Sequence, residues 1–242
     1  MKKNLPKICI AISVLLIVVI IIVALSFNKT QNSGNKETEI LSENILIKDK
    51  KVIYSNSTHE VNLIIPEFQN IEGDYGSYIN SKIYNDLSDN KVYQEAIEGY
   101  ENETPGFFTY ETNYERYNCG KYLSVVVNQY IHLGYGRPRV QKKCYVLDVS
   151  RNASPVLMDL FEDKINYKKV IIDEINQQAA KENIELIGGN GLKELSELQS
   201  FYIKDNQLIL YFEASEIAAT AVGELEFTMP FEMVDGKFII KN

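Results

Sequence analysis

Apolar and polar residues follow three different patterns along this chain. The first has no period: Ile8 to Phe27 is an uncharged run built almost wholly from Ile, Val, Leu and Ala, preceded by Lys2, Lys3 and Lys7. A helix of that length covers roughly 30 Å, the thickness of a bilayer hydrocarbon core, and exceeds the apolar stretch of roughly 7 to 15 residues in a cleavable signal. The expectation is a signal anchor over 8–27, a cytoplasmic segment over 1–7 held inside by its lysines, and everything beyond the span outside. Ala24-Leu25-Ser26 offers a cleavage site and with it a secreted form as the lesser alternative. Asn28 to Glu43 is polar and aperiodic and reads as a flexible tether.

From Asn44 the two folding periods take over. Ile45 to Ile47 and Val52 to Tyr54 flank an Asp-Lys-Lys turn and, with Val61 to Ile65, read as opening strands. Asp74 to Tyr100 carries Tyr75, Tyr78, Ile79, Ile83, Tyr84, Leu87, Tyr93 and Ile97 at spacings of three and four, an amphipathic helix with a break near Ser88-Asp89-Asn90. Phe107 to Tyr117, Lys121 to Leu133 and Arg139 to Val149 then form an antiparallel meander. A short helix is expected over Val156 to Asp163. A longer one opens at Asn166, its buried stripe running through Val170, Ile171, Ile175, Ala179 and Ile184. Phe201 to Ile203 and Leu208 to Phe212 read as a hairpin, Glu213 to Ala221 as a helical turn or two, and Asp235-Gly236 as a last hairpin.

The fold class is therefore α+β: an N-terminal transmembrane helix, then an extracytoplasmic domain of antiparallel sheet with packed helices. It divides into a first module over 44–165 and a second over 166–242. Two cysteines outside the membrane invite a disulfide, but the hairpin geometry opposes it. If the Gly134 to Pro138 turn is central, facing residues sum to roughly 271, which sets His132 opposite Arg139 and Cys144 near Val127. Cys119 then lies about eight residues, or roughly 25 Å, farther along, beyond disulfide reach. Cys119 and Cys144 are expected to remain thiols, and Cys9 to be a small apolar residue of the span.

Charge narrows the function. The chain of 242 residues has 25 Lys and Arg against 33 Asp and Glu, a net −8. Beyond Lys7 the balance is 22 against 33, or −11. That surplus argues against nucleic acid, whose phosphates need clustered cations, and favours attraction to cationic partners. With two histidines in the chain, chemistry is sparse. His59-Glu60 lacks a second His one turn later, and His132 has no ligand at metal spacing, so neither metal nor cofactor is expected. No nucleophile elbow occurs, no Cys/His pair is brought together, and Asp159, Glu162 and Asp163 read as a solvated helix face. The chain is read as a binding protein, not an enzyme.

Sixteen tyrosines and no tryptophan favour protein recognition over sugar stacking. The sharpest local candidate is the hairpin tip Leu133-Gly134-Tyr135-Gly136-Arg137-Pro138-Arg139, with His132, Tyr135, Arg137 and Arg139 as ligand-binding residues on a glycine-framed loop. A turn that merely joins two strands is the equal alternative.

Several segments also carry a family resemblance. Leu123-Ser124-Val125-Val126-Val127 with its Gly-containing turn, Tyr145-Val146-Leu147-Asp148-Val149 and Leu157-Met158-Asp159-Leu160-Phe161 are similar to the first extracytoplasmic module of the lysozyme-sensing anti-sigma-V factor family. Phe201-Tyr202-Ile203, Leu208-Ile209-Leu210-Tyr211-Phe212, Glu216-Ile217-Ala218, Ala221, Gly223 and Glu226-Phe227-Thr228-Met229-Pro230 resemble its second module, with Tyr202, Phe212, Glu216, Gly223 and Pro230 as motif positions. The same modules occur in the non-catalytic part of some membrane-anchored peptidoglycan deacetylases. Three departures stand out. Seven residues before the span leave no sigma-factor-binding domain; the tip reads His132-Leu133-Gly134-Tyr135-Gly136 instead of a Gly-Gly-Ala-His type; and Ser215, Ala219 and Thr220 replace Tyr, Pro and Tyr.

Together these readings lead to an expectation. The protein is a single-pass plasma-membrane protein of a Gram-positive type bacterium, N-terminus inside, whose external domain recognises lysozyme or a similar cationic wall-active protein. The alternative is a peptidoglycan-binding or wall-associated accessory module.

Overall fold

The computed structural model describes residues 42, 44–71, 73–88, 106–161, 166–205 and 207–230. The expected span 8–27, the Asp235-Gly236 hairpin and the tether apart from Ser42 lie outside these residues; Ser42 is buried and its carbonyl accepts from Arg116 at 2.8 Å. Among the described residues no helix is long and apolar enough to cross a membrane.

Two sheets organise the molecule. A five-stranded sheet runs in the order β1 (Ile47–Ser55), β2 (His59–Phe68), β3 (Phe108–Cys119), β4 (Tyr122–Leu133), β5 (Arg139–Asp148). A three-stranded sheet follows in the order β6 (Phe201–Lys204), β7 (Gln207–Phe212), β8 (Leu225–Pro230). Helix α1 (Asp74–Ser88) lies between β2 and β3 in sequence, and α2 (Tyr167–Lys181) precedes β6. The α+β class stands, with three corrections.

First, Ile45 to Tyr54 is not two strands around an Asp-Lys-Lys turn. β1 passes straight through Asp49-Lys50-Lys51, pairing from Ile47 with Phe68 to Ser55 with Glu60. It is an edge strand, and its charged side chains are exposed while the backbone pairs. The reversal falls at Asn56, whose Oδ1 accepts the N–H groups of Thr58 at 2.8 Å and His59 at 2.7 Å, an Asx turn that supplies the bonds the backbone gives up. Second, the sheet is mixed: β2 and β3 are parallel, His59 beside Phe108 to Leu63 beside Thr112. Parallel neighbours require a long crossover, and α1 lies in it. Third, the short helix expected over Val156 to Asp163 is a 3₁₀ turn at Leu157–Leu160, started by the Asp159 carboxylate accepting the Val156 N–H at 3.0 Å. β8 is a strand to which sequence periodicity assigned no element.

Alternation along β4 explains the layering. Leu123, Val125, Val127 and Ile131 face one core with Ile79, Ile83 and Leu87 of α1, while Tyr122 and Val126 face another with α2 and the second sheet. Covered on both faces, β4 has buried apolar residues at successive positions, Val125 to Val127. α1 is pinned to β2 by Asn80, which accepts the Phe68 N–H at 2.8 Å and donates to its carbonyl at 2.9 Å. Its C-terminal end is met by a polar chain. Gln141 donates to Gln129 at 2.9 Å, Gln129 to the Tyr110 hydroxyl at 2.5 Å, and Tyr110 to the Leu87 carbonyl at 2.9 Å. Gln129 is buried, so each link satisfies a group that water cannot reach. On the opposite face the buried Ser124 Oγ accepts the Ile203 N–H at 2.9 Å, tying β6 onto β4. Residues of 44–165 and of 166–242 thus share one core.

No disulfide links Cys119 and Cys144. The separation expected between them needs correction. β3 folds back so that Cys119 pairs with Tyr122, and Cys144 faces Val126. Four residues and two strand spacings separate them, about 16 Å, still far outside disulfide reach.

Candidate functional site

The β4–β5 hairpin turns between Leu133 and Arg139. Gly134 (φ 81°) and Gly136 (φ 71°) take left-handed backbone on either side of Tyr135, so the turn is centred on Tyr135 itself. Facing residues therefore sum to 270: Ile131, not His132, lies opposite Arg139, and Tyr130 opposite Val140. A one-residue slip exchanges the faces of every side chain in the hairpin. The tip is braced from behind by Gly106, where a Cβ would sit 2.0 Å from the Gly134 carbonyl oxygen.

Of the expected ligand-binding residues, Tyr135 is 72% exposed and Arg137 and Arg139 are exposed. Neither guanidinium makes an ion pair or hydrogen bond among the described residues. His132 is half-buried and pairs with Thr109 on β3, away from them in role.

The second-module positions have a different fate. Tyr202 is buried, stacks on Tyr117 with ring centroids 5.7 Å apart and donates to Glu226 at 3.1 Å. Phe212 is buried edge-on against Phe227. Glu216 accepts the Glu213 N–H at 2.7 Å and closes the turn after β7. Pro230 ends β8, opposite Gln207. Only Gly223 (φ 86°) reaches the tip's neighbourhood.

That neighbourhood is a cleft of about 690 Å³ where the start of β5 meets the loop after β7. Arg137, Arg139 and Val140 line one side, and Glu213, Gly223 and Glu224 the other. The loop is held there by Tyr211 of β7. Its hydroxyl accepts the Lys142 N–H at 3.0 Å and donates to Glu224 at 2.6 Å. Lys142 Nζ meets Glu226 at 2.5 Å, and Lys143 approaches Glu213 at 3.7 Å. Burial first, then the neighbouring carboxylates, push the phenols of Tyr211 and Tyr202 far above their ordinary pKa, so both stay neutral donors. Sequence reasoning missed Tyr211, Glu213, Glu224 and Lys142. Tyr211 sits inside an apolar strand run, and nothing local marks its hydroxyl as a bridge to a strand 69 residues away.

The chemistry available is recognition by charge, hydrogen bonds and an exposed aromatic ring. Among the described residues no three His, Cys, Asp or Glu side chains are grouped to hold a metal ion. Burial pushes the Cys144 thiol up to about 12, leaving it protonated at neutral pH. His59 is buried against Phe108 at 5.6 Å.

Comparison with known proteins extends this picture. Among curated proteins none matches the sequence. A crystal structure of a DUF3298 family member from Bacteroides fragilis is similar at 15% identity and TM-score 0.58, covering 81% of this chain and 94% of that one. Another DUF3298 family protein, from Pseudomonas aeruginosa, is similar at 10% identity and TM-score 0.59, covering 82% and 96%. Such low identities speak to fold alone. Residues 158–232, from the 3₁₀ turn through β8, match the family described as protein of unknown function (DUF3298), so this chain carries a DUF3298 domain inside a fold that proteins of that family share.

Proposed function

We propose that the protein is a membrane-anchored extracytoplasmic receptor for a cationic wall-active protein of the lysozyme type, held by the 8–27 span with its N-terminus inside. The observation that carries this reading is the tip: Tyr135 stands 72% exposed between two left-handed glycines, with Arg137 and Arg139 exposed beside it and unpaired among the described residues. Exposed Tyr and Arg on a braced loop are the residue types that dominate protein interfaces. The charges divide the task. An external balance of −11 steers a basic partner inward, an effect that salt screens. The guanidinium groups then meet acidic groups, and a glycosidase carries a pair of carboxylates in its cleft. The resemblance to anti-sigma-V factor modules points the same way.

A second reading rests on the mixed-charge cleft of about 690 Å³, a volume suited to a small ligand bearing both charges, such as a peptidoglycan fragment. Calorimetry on the full chain in lipid nanodiscs separates the two. Saturable binding of a basic lysozyme that weakens from low to moderate salt and disappears in Tyr135→Ala supports the receptor. Saturable binding to purified wall with none to lysozyme replaces it by the accessory module.

A further inference from the structure

The two edges of the large sheet are built differently. β1 is guarded by exposed Lys48, Lys50 and Lys51, a usual defence against strand pairing. β5, the other edge, lies at the floor of a trough. One wall is α1, with Ile79, Lys82 and Asp86; the other is the segment Glu197 to Phe201. Two adjoining hollows of about 290 and 640 Å³ meet over Cys144 and Tyr145.

Strand alternation decides which backbone groups face into it. Asp148 exchanges hydrogen bonds with Ala153 on the outer side, at 2.8 and 3.3 Å, and the Lys142 N–H is taken by Tyr211. Both residues therefore point away from β4, and so do Cys144 and Val146 between them. The outward N–H and C=O groups of Cys144 and Val146 meet no partner among the described residues. Stops at Lys142 and Asp148 bound this free stretch to about 20 Å, room for a segment of about five extended residues.

We infer that this edge accepts an extended peptide from a partner protein as a sixth strand, with acidic and apolar residues in alternation. Side chains of an added strand would alternate between the two walls. The wall toward α1 brings Lys82, Arg139 and Lys143 against Asp86 and Glu213, an excess of positive charge in which Arg139 has no ion pair among the described residues. The opposite wall offers Leu198, 83% exposed, and Val156, 39% exposed, to an apolar side chain. Main-chain bonds supply affinity and the two walls supply selection. A second copy of the chain does not suit the trough, since walls on both sides admit one strand and not a whole sheet. Arg139 is shared with the tip, but the edge backbone, Lys82, Lys143 and Leu198 are not, and the inference does not rest on the receptor reading.

The test uses the full chain in nanodiscs and a fluorescein-labelled heptapeptide alternating Val and Glu, read by anisotropy and by amide exchange. Expected are saturable binding, slowed exchange at the Cys144 and Val146 amides, a preference of about tenfold over a Val/Lys heptapeptide, and a loss of about tenfold in Leu198→Asp. Leu198 is exposed, so that variant keeps its fold, checked by circular dichroism. No saturable binding, unchanged exchange at those two amides, equal affinity for the Val/Lys peptide, or full affinity in Leu198→Asp overturns the inference. Self-association that the peptide suppresses also overturns it and gives the edge to a second copy.

Discussion

The hairpin tip and the second-module motif were both singled out by their residues, yet the structure uses them in opposite ways. At the tip, Tyr135, Arg137 and Arg139 are exposed and the two guanidiniums have no partner among the described residues. In the motif, Tyr202 and Phe212 are buried and Glu216 closes a turn. A characteristic order of residues can thus report what packs, while the residues free to meet a ligand sit where packing makes no demand. The family match over 158–232 covers the packed region and excludes the tip.

Four measurements sharpen or break this contrast. The largest effect belongs to Phe212→Ala, which opens a cavity beside Phe227 and should cost about 4 kcal/mol in urea unfolding. A loss under about 1 kcal/mol would show that the motif is not a packing element.

Asp148 comes next, as a buried anchor at the far end of β5 from the tip. Its carboxylate accepts Ser150 Oγ at 2.6 Å and Arg151 Nε at 2.7 Å and lies 3.2 Å from Lys121 Nζ. Burial pushes its pKa up, but these donors outweigh burial and the net shift is downward. The stability it contributes is complete above the ordinary Asp value of about 3.9 and is lost as pH falls through the lower folded value. Asp148→Asn should cost about 2 kcal/mol at pH 7 and flatten the acid limb of the stability curve below about pH 4. An unchanged acid limb would assign that limb to other carboxylates.

Gly106→Ala should cost about 2 kcal/mol, because the new methyl must displace the Gly134 carbonyl, and should raise amide exchange around Tyr135. Wild-type exchange at the tip would mean that Gly106 does not brace it. The smallest stability effect is Tyr135→Ala, within about 0.5 kcal/mol, since the ring is exposed. A larger loss would make Tyr135 a structural residue and erase the contrast.

How far the sequence could be read follows from the range of each interaction. The α2 stripe through Ile171, Ile175 and Ala179, the β6–β7 hairpin and the three-strand meander were legible because burial repeats with the period of the element itself. Asp49-Lys50-Lys51 misled because a solvated edge strand and a turn share a composition, and the true turn rests on one side chain, Asn56. Of the candidate site, the tip was visible as a glycine-framed loop. Its facing wall, Glu213 and Glu224, was not, since the carboxylates arrive from a distant loop held by the Tyr211 hydroxyl.

By itself the sequence determined the helix and most strand positions, the charge and the exposed character of the tip, because those depend on which side chains tolerate water. Only the tertiary structure decided that β2 and β3 run parallel, that the hairpin centres on Tyr135, and that β5 is the last strand of the large sheet among the described residues. Those outcomes depend on which distant segments meet, and a backbone hydrogen bond carries no record of its partner in either residue's side chain.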